Sequence, residues 1–363
     1  MSVADQFLFG YDDGYRLLAG SRELDPQTLV TLLGATDAPI SEGAGPLLTA
    51  LALPGSGEYA FCATWSAPEA PRPGAVWAHA LVVDADALGD KQCFETLIGL
   101  PRRPADGAAD IERYGVELEL EGEGEEEGAF AGAGEGAREG ADAGAGAGAG
   151  AGQSAGAVAG ADQGGAHAHL GAVAPDAALL ARLASAAYGG GGERILAHGD
   201  SGEAARALVA LWRAQWPALR AAFSFRVREV AREGASAFDL TVARRIRGRD
   251  GEPDVEGASA DVPSAPWVLA LCDDAGAAAA TPLRDFLATF GPFEPSKPER
   301  LGALARLWTA VAARDAQAAR DALARDWPSP ERGTMLKRAL FHRDNAGWWS
   351  GEAGSPVARG EAR

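Results

Sequence analysis

The chain has 363 residues, 33 of them basic and 51 acidic, for a formal net charge of −18. A field of that sign repels phosphate and argues against nonspecific binding to nucleic acid or anionic lipid. The length suits two ordinary domains at roughly 100 to 200 residues each. No apolar run approaches the roughly 20 residues of a membrane helix, and the N-terminal residues lack a basic stretch leading into an apolar one. The three cysteines, Cys62, Cys93 and Cys272, are odd in number and far apart, which reads as buried thiols in a reducing compartment. The expected location is the cytoplasm.

Residues 6–21 read as a β-hairpin, because Phe7-Leu8-Phe9 and Leu17-Leu18 flank Tyr11-Asp12-Asp13-Gly14 and Asp-Gly is a strong turn signal. A helix follows, with Asp25 as N-cap, Pro26 in the first turn, Leu24 and Leu29 as a hydrophobic staple, and Gly34 as the stop. Strands are predicted over residues 47–53, 59–65 and 76–83. Tyr59, Phe61, Ala63 and Trp65 share one face of the second. The third is apolar on both faces, the pattern of a central strand. Asp84 and Asp86 should open a helix reaching toward Ile98, and Val116, Leu118 and Leu120 suggest one more strand.

Over residues 121–172 periodicity disappears, first into a Glu-rich run and then into an Ala-Gly repeat. Such a composition buries too little apolar surface to offset its backbone entropy, so a disordered acidic linker is expected. Beyond it, Asp176 should cap a helix over residues 177–188, followed by a short strand at 194–197 and a helix with Ser201 as N-cap. Strands at 223–227 and 238–242 flank a polar turn, and residues 267–271 form a further strand candidate. Helical spacing covers residues 283–290, 299–312, 316–324 and 334–341. The expected fold is α+β. A β-rich N-terminal domain with flanking helices (1–120) leads through the linker (121–172) to a second α+β domain (173–295), a helical bundle-like segment (296–350) and a frayed tail (351–363).

No strand-to-helix glycine loop with Lys-Ser/Thr is present, so the chain has no P-loop for a nucleotide. The best general-base candidate is His79, with Asp84 five residues on, against the ordinary reading of a core histidine with a backbone partner. Asp84 and Asp86 are also the residues a helix N-terminus favours. His167 and His169 form an H-x-H inside the linker with no third ligand nearby. No metal or other cofactor is expected. The one basic concentration is Arg244, Arg245, Arg247 and Arg249, with Arg226, Arg228 and Arg232 near it across the expected hairpin. It reads either as a solvated strand face or as a dock for an acidic partner or the chain's own Glu-rich stretch.

The string from Gln6 through Phe9, Gly10, Tyr11, Gly14, Tyr15, Leu17 and Leu18, followed later by Trp77-Ala78-His79, resembles the N-terminal domain of the bacterial GTPase-associated proteins. Leu211-Trp212, Trp216-Pro217 and Phe223-Ser224-Phe225 resemble that family's middle domain more loosely. Within the family's G-Y-x-x-G-H-x-L-L pattern, Tyr15 stands where a histidine is usual, while His79 matches the W-x-H pattern. The resemblance implies a noncatalytic adaptor or regulator working beside a separate GTPase in a conflict or signalling system. It makes Gln6, Tyr11, Gly14, Tyr15 and Trp77 binding candidates, together with Arg244, Arg245 and Arg247 from the basic concentration. The alternative is a hydrolase using His79 with a nearby carboxylate.

Overall fold

The computed structural model describes residues 2–41, 44–70, 72–104, 107–120, 174–190, 195–232, 237–247, 255–256, 265–277 and 279–342. The expected linker at 121–172 with His167 and His169, the position Arg249, and the tail at 351–363 lie outside the described residues.

Strands β1 (Ser2–Tyr11) and β2 (Tyr15–Gly20) form the predicted hairpin. Its turn works because Asp13 and Gly14 take φ values of 53° and 128°, a region costly for most side chains and open to Asp and Gly. In α1 (Pro26–Thr36) the Asp25 carboxylate accepts from the Gln27 and Thr28 N–H groups at 2.9 and 3.0 Å. The helix does not stop at Gly34. Without a left-handed φ, glycine merely weakens a helix interior, by about 1 kcal/mol relative to alanine.

Next come β3 (Leu47–Ala52), β4 (Glu58–Ser66) and β5 (Val76–Asp84), matching the three predicted strands. Strand β5 lies between β4 and β1 and is indeed central. The single helix expected from Asp84 is instead two elements. Asp84 caps a short 3-10 helix, Ala85–Gly89, and α2 (Lys91–Gly99) restarts with Asp90 accepting from the Cys93 N–H at 2.8 Å. A second 3-10 segment, Gly107–Gly115, leads to β6 (Leu118–Leu120).

The remainder contains α3 (Ala177–Tyr188), β7 (Ile195–Ala197), α4 (Ser201–Arg213), α5 (Pro217–Arg220), β8 (Phe225–Arg232), β9 (Leu240–Arg247), β10 (Val255–Glu256), α6 (Pro266–Gly276), α7 (Pro282–Phe290), α8 (Pro298–Ala312), α9 (Ala316–Asp326) and α10 (Thr334–Leu340). Three expectations are corrected here. The cap of α4 is Asp200, whose carboxylate accepts from the Glu203 N–H at 2.9 Å, and Ser201 is its first residue. Residues 267–271 belong to helix α6. The buried set Val268, Leu271, Cys272 and Ala275 has the i, i+3, i+4, i+7 spacing of a helix, which the five-residue apolar run alone conceals. Finally, β8 and β9 are parallel, with Phe225 opposite Leu240 and Val230 opposite Arg245. Alternation records which side chains share a face and says nothing of strand direction.

The strands form one ten-stranded sheet in the order β10-β9-β8-β3-β4-β5-β1-β2, with β6 beside β1 and β7 beside β9. The joint between its two parts is β3 against β8, where Thr49 faces Arg226 and Ala50 faces Phe225. Segments on either side of residues 121–173 therefore share a sheet. They also share a core. Trp212 of α4 packs against Tyr59 and Phe61 of β4 with centroids 5.4 and 5.8 Å away, and against Phe94 and Phe225 at 4.7 and 5.5 Å. The Tyr59 hydroxyl donates to the Phe223 carbonyl across the joint, and the Trp212 indole N–H donates to the Arg220 carbonyl at 2.9 Å. On the opposite face α1 covers Phe7, Phe9, Ala60, Cys62 and Ala80. All three cysteines are free and buried; burial pushes the Cys62 thiol up to about 12.

Candidate functional site

The residues that carry the sequence pattern on β1 and β5 are consumed by folding. Gly10 leaves room for Trp77: a Cβ placed there would stand 2.5 Å from the Trp77 ring and 2.8 Å from Leu18, closer than carbon atoms approach. Trp77, 6% exposed, donates its indole N–H to Glu69 at 2.6 Å. Gln6, 3% exposed, donates its side-chain amide to the Arg113 and Val116 carbonyls at 3.0 and 2.6 Å. His79, 1% exposed, accepts the Arg102 N–H on Nδ1 at 3.0 Å and meets Tyr114 edge-on at 4.8 Å. Tyr114 in turn donates its hydroxyl to the Arg102 carbonyl at 3.1 Å. Together Gln6, Trp77 and His79 form a buried bed that fastens the chain from about residue 101 to 116 onto the sheet.

Asp84 does not complete a catalytic pair with His79. Five residues apart on one strand, they lie on opposite faces and roughly 16 Å apart along it, and the Asp84 carboxylate accepts the Asp86 N–H at 2.8 Å. Tyr15, at the start of β2, is tucked under the sheet, where burial raises its phenol further above the usual range. It packs on Phe9 and Tyr11 at 6.4 and 5.5 Å.

What remains accessible gathers at one end of the sheet. The hairpin tip presents Tyr11, Asp12, Asp13 and Gly14, with the Arg72 guanidinium 4.8 Å over the Tyr11 ring and Arg16 paired with Asp12. The β4–β5 turn, from Ser66 to Ala75, bounds a cleft of about 350 Å³ that reaches Ile40. Ile40 also lines a second cleft of about 610 Å³, with Ser41, Gly199, Glu229, Val230, Arg244 and Arg245. Because β3 runs antiparallel to β8, this second cleft lies toward the same end of the sheet, beside the C-terminal halves of the parallel strands β8 and β9 and just past β7. The hairpin and arginine candidates thus share a sheet end, about 24 Å apart across five strand spacings.

The arginines divide between the two faces. Register puts Arg226, Arg228 and Arg245 on one face, through the pairs Arg226 with Thr241, Arg228 with Ala243 and Val230 with Arg245. Arg247 pairs with Arg232 farther along the same two strands. Arg244 belongs to the other face and approaches Glu229 at 3.7 Å. The candidates Arg244, Arg245 and Arg247 therefore do not form one row. The row contains Arg226 and Arg228, whose i, i+2 spacing is visible in the sequence.

Among the described residues, no three His, Cys, Asp or Glu side chains cluster in a way that could hold a metal ion, and no helix is long and apolar enough to cross a membrane. Residues 3–100, from β1 through α2, match the family model for GTPase-associated protein 1, N-terminal domain type 1. No curated protein and no solved structure matches the chain.

Proposed function

We propose that this protein is a noncatalytic adaptor or regulator that binds a separate GTPase in the cytoplasm, in a bacterial conflict or signalling system. The observation that carries this reading is the burial of the pattern residues. Gln6, Trp77 and His79 are buried and bonded to the chain itself, so the N-terminal domain offers a shape rather than a reactive group. The sequence holds no P-loop, which fits nucleotide hydrolysis by another polypeptide, and the description of the matching family model names a GTPase as the associate.

In this reading the partner engages the sheet end that holds Tyr11, Gly14 and the edge of Tyr15, with Arg244, Arg245 and Arg247 as a second contact. Gln6 and Trp77 support that surface from beneath. The test is affinity capture from the native cell with the full chain as bait, in the presence of GDP or of a nonhydrolysable GTP analogue. Recovery of a GTPase that is lost on Tyr11→Ala substitution is expected. Recovery of no GTPase in either nucleotide condition overturns the proposal. The full chain is required because residues before and after 121–173 share the core around Trp212.

A further inference from the structure

Arg226 and Arg228 are set two residues apart on β8 and point to one face, about 7 Å from each other. Both are half-buried. Their surroundings differ from those of other arginines in the chain. Arg22 meets Asp5 at 2.6 Å, Arg213 meets Glu95 at 2.5 Å, and Arg300 meets Glu294 at 2.5 Å. The Arg226 guanidinium instead donates Nε–H to the Thr241 hydroxyl at 3.3 Å and stacks on Phe238 at 4.5 Å. Among the described residues, no carboxylate is bonded to Arg226 or Arg228. Asp37 acts on Arg228 only through space, and Glu229 is turned to the other face beside Arg244.

Two like charges drawn partly out of water with no bonded counter-charge are costly, and the strain registers in their acidity. Burial first, and then the neighbouring Arg228, pull Arg226 down to about 10. Arg228 is lowered by burial as well. Guanidinium forks on one face match an oxyanion with several acceptor oxygens.

We propose that Arg226 and Arg228 form a binding site for a phosphate-type oxyanion, with the cleft that begins at Val230 and Arg245 on the same face, and whose lining also holds Glu229, receiving the organic part of a small phosphorylated molecule. The cleft, about 610 Å³, falls in the size range of small-molecule sites. The site goes beyond the proposed GTPase contact, with which its cleft shares Arg245, so the anion is titrated in the absence of a partner.

The test uses the full chain, titrated with inorganic phosphate and separately with ribose 5-phosphate at ionic strength matched with chloride, following arginine Nε–H resonances and binding heat. A saturable response is expected that weakens at least tenfold in Arg226→Gln and in Arg228→Gln and is unchanged in Arg325→Gln, an exposed arginine on α9. Tighter binding of ribose 5-phosphate with the same arginine dependence supports a phosphate ester as ligand, and equal or tighter binding of inorganic phosphate supports the free anion. No response beyond chloride, or one undiminished in both variants, overturns the site. Binding of a Glu-rich peptide with no response to either phosphate also overturns it, in favour of a protein dock. Should a variant fail to fold, saturable movement of the wild-type Arg226 and Arg228 resonances decides the question.

Discussion

At the β1–β5 side of the sheet, Gln6, Trp77 and His79 commit their polar atoms to Arg113 and Val116, to Glu69 and to Arg102, whereas at the β8–β9 side Arg226 and Arg228 sit half-buried, Arg226 against the Thr241 hydroxyl and the Phe238 ring, with no bonded carboxylate among the described residues. The first region bears the pattern recognisable from sequence and has turned it into architecture. The second lies outside that pattern and, among the described residues, holds its charge without a bonded carboxylate. A recurring motif is thus a poor guide to where this molecule has chemistry to offer, because side chains that lock a fold recur for the same reason as those that act.

The comparison can be broken most forcefully at the core that the two regions share. Trp212→Ala should lower stability by roughly 3 to 5 kcal/mol, as for other large aromatic deletions, with tryptophan fluorescence and circular dichroism losing structure in one common urea transition. Two separate transitions would show that the halves of the sheet are energetically independent. Gly10→Ala should cost about 1 to 3 kcal/mol by overpacking. Replacing Trp77 with Leu in the same chain should recover part of that loss, since residues in contact do not add.

Smaller changes sharpen the contrast. His79→Leu removes the acceptor of the Arg102 N–H and should cost roughly 1 to 3 kcal/mol, the penalty for a buried donor left without a partner. Hydrogen exchange should quicken around residue 102, and the folded fraction should still capture the GTPase. Loss of capture from a fully folded variant would instead make His79 a contact residue. Tyr59→Phe deletes the bond to the Phe223 carbonyl and should cost about 1 kcal/mol, read from the urea midpoint. Arg16→Gln, at the exposed hairpin tip, should change stability by no more than about 0.5 kcal/mol.

Much of the local structure is legible from local chemistry. Asp13-Gly14 specifies the hairpin, Asp25-Pro26 the start of α1, and the alternation of Tyr59, Phe61 and Trp65 the inner face of β4. What escapes the sequence is pairing over distance. Thr49 and Arg226 are neighbours across the β3–β8 joint, yet neither bears a mark of the other, because β pairing is carried by backbone groups common to every residue. The same limit explains why β8 and β9 read as a hairpin when they are parallel. Of the candidate site, the aromatic and arginine positions were visible. That His79 and Asp84 face apart follows from simple strand parity once both are placed on β5, and that parity was legible too.

The pairing of β3 with β8 also bears on how the chain is made. Until residue 225 leaves the ribosome, β3 has an open edge, and Tyr59, Phe61 and Phe94 have no Trp212 to cover them. At synthesis rates of about 5 to 20 residues per second, that exposure lasts roughly ten to thirty seconds. An unpaired strand edge beside an uncovered aromatic face is a template for aggregation, so the nascent N-terminal half should depend on a chaperone more than the finished protein does.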